Sequence, residues 1–169
     1  MPSIYVCPLS RIDEIVDETG ARSLVTLLSP GTGIVRPGPI TTERHLNLGI
    51  SDIVAAAPGQ VLPEAEHIET LIGFFRKWDR EQPMLVHCFA GVSRSTASAF
   101  IAVCAIAPHR NEAEVARALR AASPTATPNA RFVALADHAL GRGGRMVAAI
   151  EAIGRGEDCT EGRPFRLDP

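Results

Sequence analysis

The sequence predicts one α/β domain: a central, mostly parallel sheet of four to five strands flanked by helices, with an all-helical C-terminal half. Three observations predict it. With 169 residues, 46% of them apolar, the chain can fill one core and is short for two. Up to His87, short apolar runs alternate with segments of helical period, and that alternation builds parallel sheets. Beyond Arg94 only helical patterns follow.

The first unit reads strand, helix, strand. Ser3 to Cys7 and Ser23 to Leu28 are apolar runs bounded by turn residues, and Arg11 to Glu18 between them has helical spacing closed by Gly20. Ser29 to Thr42 holds three Pro and three Gly and is a loop, with Arg36 inside it, long enough to be functional or merely mobile. A short strand, Arg44 to Leu48, follows. From Val61 the apolar positions Val61, Ala65, Ile68, Ile72 and Phe75 mark an amphipathic helix that ends near Pro83. Met84 to His87 is then a strand apolar enough to lie inside a sheet. Ser95 to Ala105 is small or apolar nearly all round, which predicts a buried central helix. Three more helices are predicted over Asn111 to Ala122, Asn129 to Leu140 and Gly144 to Ile153. Residues 1–154 read as a single domain and 155–169 as a C-terminal tail.

A formal net charge of −2 gives no global attraction to nucleic acid or to an anionic membrane. The longest apolar run, Ala99 to Ala107, is too short to span a bilayer, and the N-terminus lacks a basic segment before an apolar one. Four cysteines without paired spacing fit a reducing cytoplasm. Lys77 is the single lysine among 17 Lys and Arg residues, a bias that fits a GC-rich, bacterial genome.

The chemistry gathers in Val86-His87-Cys88-Phe89-Ala90-Gly91-Val92-Ser93-Arg94-Ser95. A strand that turns through a tight loop into a helix aims backbone N–H groups at one point, and the helix end adds partial positive charge. Such a loop holds an oxyanion. Gly91 lets the backbone curl, and the Arg94 guanidinium can fold over two anion oxygens. Cys88, at the bottom of the cup, meets surroundings that favour the thiolate. A loop that holds a phosphate over a sulfur anion suits phosphoryl transfer.

His-Cys, five residues, then Arg-Ser resembles the signature of the cysteine-dependent protein tyrosine phosphatase superfamily, and its mid-chain position is similar to the dual-specificity branch. The resemblance implies that fold and a phosphoric monoester hydrolase working through a phosphocysteine. It implies Cys88 as nucleophile, Arg94 as phosphate ligand, and Ser95 as the hydroxyl that assists departure of the thiolate. Phe89, Ala90, Gly91, Val92 and Ser93 would line the phosphate loop, with His87 in support.

The leaving oxygen needs a proton, and a positioned acid contributes about a hundredfold to ten-thousandfold. By analogy with that branch, whose acid lies upstream just after a short strand, the acid is Asp52, 36 residues before Cys88. Asp79 and Asp137 read as solvated. Pro128-Asn129-Ala130-Arg131-Phe132 resembles a stretch whose Asn braces the phosphate loop in this family; Asn129 also suits a helix N-cap.

No cofactor or metal is expected, because Arg94 and the loop amides supply the positive charge. A phosphorylated protein or a small phosphate ester is the expected substrate. Phe89, Ala90 and Val92 carry no charge, which argues against a multiply charged lipid headgroup. Other readings are a phosphate-binding module without catalysis, a phosphatase of a non-protein ester, and a rhodanese-like or arsenate-reducing thiol loop. Cys7 or Cys104 could trap an oxidised Cys88, or be two inert buried thiols.

Overall fold

The computed structural model describes residues 2–169. Its strands are β1 (Ile4–Cys7), β2 (Ser23–Leu28), β3 (His45–Gly49), β4 (Met84–His87) and β5 (Phe165–Leu167), in sheet order β3-β2-β4-β1-β5. The helices are α1 (Ile12–Thr19), α2 (Ala65–Lys77), α3 (Arg94–Ile106), α4 (Glu112–Ala122), α5 (Ala130–Ala139) and α6 (Arg145–Ile153).

The sheet is mixed, which corrects the expectation of a mostly parallel one. Strands β1 to β4 pair in parallel, while β5 runs antiparallel to β1, matching Ile4 to Leu167 and Val6 to Phe165. The C-terminal half is therefore not all helix, and residues 155–169 are not a tail. Phe165 and Leu167 are buried on either side of exposed Arg166.

Both faces of the sheet are covered, so its central strands are apolar without alternation. Ile4, Val6, Val25, Leu27, Met84 and Val86 face α2 to α6 in one core. Cys7, Leu24 and Leu85 face Ile12, Ile15 and Val16 of α1, with Ile40 of the 29–42 loop closing the layer. Helix α3 lies at the centre, and every one of its residues is buried. Ser95, Thr96 and Ser98 are small enough to pack there without breaking the apolar surround.

Helix α2 starts at Ala65 rather than Val61. Glu64 caps it reciprocally with His67, and Val61 is instead tied to Ser51, whose N–H donates to the Val61 carbonyl at 2.9 Å and whose Oγ accepts the Val61 N–H at 3.0 Å. Asp137 is not solvated. It is buried and accepts the N–H groups of Gly144 and Met146 at 2.7 Å and of Val147 at 3.3 Å, capping α6 from the preceding helix. Asp79 remains partly exposed and pairs with Arg44. Among the described residues no helix is long and apolar enough to cross a membrane.

Candidate active site

Residues 88–93 join the C-terminal end of β4 to the N-terminus of α3. The carbonyls of this loop are held outward by its neighbours. The Cys88 carbonyl accepts from His87 Nδ1 at 3.0 Å, and the Phe89 carbonyl from Leu9 N at 3.0 Å. The Ala90 carbonyl accepts from Gly162 N at 2.8 Å, that of Val92 from Thr127 N at 2.9 Å, and that of Ser93 from Asn129 N at 3.2 Å. Every described peptide bond is trans. In a trans peptide the N–H points opposite to the preceding carbonyl, so these contacts turn the N–H groups of Phe89, Ala90, Gly91, Ser93 and Arg94 toward the centre of the loop. The Gly91 N–H reports the result: it donates to Cys88 Sγ at 3.3 Å.

Cys88 lies at the floor of this ring of amides, buried, with Ser95 Oγ 3.1 Å from its sulfur. Arg94 rises from the first turn of α3. Its Nη1 donates to the Ile50 carbonyl at 2.9 Å and to Ser29 Oγ at 3.3 Å, which fixes the guanidinium against the segments that follow β3 and β2. Its Nε is buried and has no hydrogen-bond partner in the protein. An unpaired buried donor costs about 1–3 kcal/mol, and a charged one more.

His87 is fully buried in a relay that fixes its protonation. The Cys88 carbonyl can only accept, so Nδ1 carries the proton. Nε2 then accepts from Thr26 Oγ1 at 2.8 Å, and Thr26 accepts in turn from His45 Nε2 at 2.8 Å. Burial lowers the His87 pKa from 6.5 to about 4, against the opposing pull of the Cys88 carbonyl. The imidazole is neutral and orients the loop.

Asp52 follows β3 and borders a cavity of ≈ 300 Å³ with Cys88, Phe89, Ala90, Val92, Ser93 and Arg94. Its Oδ1 accepts from Ser93 Oγ at 2.7 Å and from Asn129 Nδ2 at 2.9 Å. Asn129 caps α5 through its Oδ1, braces Ser93 through its backbone N–H, and reaches Asp52 through its amide nitrogen. The candidates of the sequence thus converge on one cup, with Phe89 exposed on its rim.

Some neighbours of the cup leave no sequence signal. Leu9, Thr127 and Gly162 hold loop carbonyls from remote segments, Thr26 and His45 extend the histidine relay, and Cys159 borders the same cavity as Cys88. Cys7 and Cys104 are buried, and burial raises both pKa values to about 12, which keeps them neutral thiols. A separate cleft beside Ser23 and Met84 lies at the other end of the strands and is floored by the Arg44–Asp79 pair.

Residues 57–125 match the family model of protein-tyrosine phosphatase, a span that contains Cys88 to Ser95 but neither Asp52 nor Asn129. No curated protein matches the sequence. Solved structures do. DUSP15 superposes with a TM-score of 0.62 at 20% identity, over 90% of this chain and 91% of that one. Human DUSP28 gives 0.62 at 19% identity, over 90% and 96%. The PTP-2 phosphatase of Cydia pomonella gives 0.61 at 19% identity, over 80% and 84%. The chain therefore shares the fold of the dual-specificity phosphatases, and its central segment is similar to the protein-tyrosine phosphatase family.

Proposed function

We propose that the protein is a protein tyrosine or dual-specificity phosphatase that hydrolyses phosphoric monoesters through a phosphocysteine intermediate. The observation that carries this reading is the buried, unpartnered Nε of Arg94 beside a ring of inward amides with Cys88 beneath it. A tetrahedral dianion seated there accepts from the guanidinium fork and the amides together, with its phosphorus above the sulfur.

In the first step Cys88 Sγ attacks phosphorus in line, the S–P bond forms and the P–O ester bond breaks. The protonated Asp52 carboxyl gives its proton to the leaving oxygen. In the second step the Asp52 carboxylate takes a proton from water, the water oxygen bonds to phosphorus, and the S–P bond breaks. The Ser95 hydroxyl, 3.1 Å from the sulfur, stabilises the thiolate as it departs. Arg94 and the amides bear the equatorial charge throughout, so the scheme needs no metal.

Cys88→Ser keeps the cup and removes the nucleophile. Turnover of an aryl phosphate should fall to background while tungstate still binds, as measured by calorimetry. Hydrolysis by this variant within tenfold of the parent would overturn the mechanism.

A further inference from the structure

The contacts at Asp52 go further than the identity of an acid. Both hydrogen bonds to its carboxyl group end on one oxygen: Ser93 Oγ at 2.7 Å and Asn129 Nδ2 at 2.9 Å each donate to Oδ1. The direction of the amide is set independently. Asn129 Oδ1 accepts the N–H groups of Arg131 at 3.0 Å and Phe132 at 3.1 Å at the start of α5, so the nitrogen must face the carboxyl. An amide N–H cannot accept a proton. A hydrogen on Oδ1 could be accepted only by the Ser93 hydroxyl, at the loss of that donor; with both groups donating to Oδ1, the acidic proton belongs on Oδ2.

The surrounding backbone holds the same arrangement. Asn129 Nδ2 also reaches the Ile53 carbonyl at 3.3 Å, Ile50 N donates to Leu28 at 2.9 Å, and Ser51 is bonded both ways to Val61. Asp52 is thus pinned before, after and at its carboxyl group. Ser93 belongs to the loop that would hold the phosphate, and its carbonyl is tied to the Asn129 N–H at 3.2 Å. Acid and cup share one set of anchors.

We propose that Ser93 and Asn129 are positioning residues for the acid, forming a two-donor latch on Asp52 Oδ1 that reserves Oδ2 for the proton given to the leaving oxygen. This rests on the phosphatase reading and assigns the Ser93 hydroxyl to the acid rather than to the phosphate. In kcat/KM, which reports the steps up to departure of the leaving group, the latch acts through protonation of that group; its hold on Asp52 as the base belongs to the later hydrolysis of the phosphocysteine. A substrate whose leaving oxygen is already a stable anion is indifferent to it.

The test compares kcat/KM for phenyl phosphate and 2,4-dinitrophenyl phosphate in the parent, Ser93→Ala, Asn129→Ser, the double variant and Asp52→Asn. Serine keeps the helix cap while losing the amide donor. Because a positioned acid contributes about a hundredfold to ten-thousandfold, Asp52→Asn should lose at least about a hundredfold on phenyl phosphate and far less on the dinitrophenyl ester. The double variant should lose at least about tenfold on phenyl phosphate and under about threefold on the dinitrophenyl ester. Inhibition by vanadate should stay within about twofold of the parent, and Ser93→Thr, which keeps the hydroxyl, should restore the phenyl phosphate rate.

Equal losses on both esters, or none, would reduce the latch to a structural bridge and overturn the proposal while leaving Asp52 as the acid. A parent that hydrolyses neither ester would instead overturn the phosphatase reading itself, and an Asp52→Asn variant with the parent's leaving-group dependence would remove Asp52 as the acid and the latch with it.

Discussion

Gly91 combines a left-handed backbone, φ +71°, with a wall where a side chain would start: a Cβ there would meet Pro8 N at 2.8 Å and the Cys7 carbonyl carbon at 3.0 Å. Both obstacles are backbone of the β1 end, which is itself held by the Leu9 N–H on the Phe89 carbonyl. Neither can yield without moving the cup. Gly91→Ala should therefore cost more than the about 1–3 kcal/mol of left-handed strain alone, read as a drop in the denaturant midpoint, and should also weaken tungstate binding. An unchanged midpoint would show that the β1 end gives way. At this scale the sequence was informative where chemistry dictates spacing. Cys88, Arg94 and Ser95 must sit on one strand–loop–helix turn, so their order along the chain is their geometry. Ser29 and the Ile50 carbonyl, which fix Arg94, were invisible because any hydroxyl and any carbonyl at those places would serve.

Among the elements, β5 and the segment leading to it changed most between expectation and structure. Arg163-Pro164-Phe165-Arg166-Leu167 offers a period of two over only two apolar positions, too short a pattern to outweigh the polar residues before it. What makes it a strand is the open edge of β1, a partner more than 150 residues away in sequence. Sequence-local reasoning reaches helices such as α4, with its Asn111 cap, because their signals are near neighbours. It does not reach a ladder formed at the chain ends. The segment also carries Gly162, whose N–H holds the Ala90 carbonyl and whose missing Cβ would lie 2.8 Å from the Gly91 carbonyl oxygen. Gly162→Ala should push the segment off the loop and let the Ala90–Gly91 peptide turn, taking an inward N–H away from the cup. Because misplacement of about 1 Å can cost a hundredfold, kcat/KM for an aryl phosphate should fall by about tenfold to a hundredfold with little change in helical circular dichroism. Parent-like kinetics would mean that β1 and the 123–129 segment hold the loop unaided.

For the molecule as a whole, the buried parallel strands and the central helix were legible because burial on both sides forces continuous apolar composition, as in β2, β4 and α3. The His87 relay was not, since its partners, Thr26 and His45, come from neighbouring strands whose register the sequence does not state. That relay has a consequence for the stability of the entire fold. His87 is neutral in the folded protein with a pKa of about 4, and ordinary, near 6.5, when the chain unfolds. Between those values the unfolded state binds more protons, so stability rises with pH across the window and is lost as the pH falls through it. The sign is that of a group whose charged form the fold rejects. His45, lowered in the same direction first by burial and then by Arg36, adds to the trend. From pH 7 to pH 5 the protein should lose about 2 kcal/mol of unfolding free energy through His87. His87→Asn retains an N–H for the Cys88 carbonyl but does not titrate. It should be less stable than the parent at pH 7 and distinctly flatter between pH 7 and pH 5 in urea unfolding. Parallel curves for the two proteins would show that His87 takes up its proton in the folded state and that the relay does not hold it neutral.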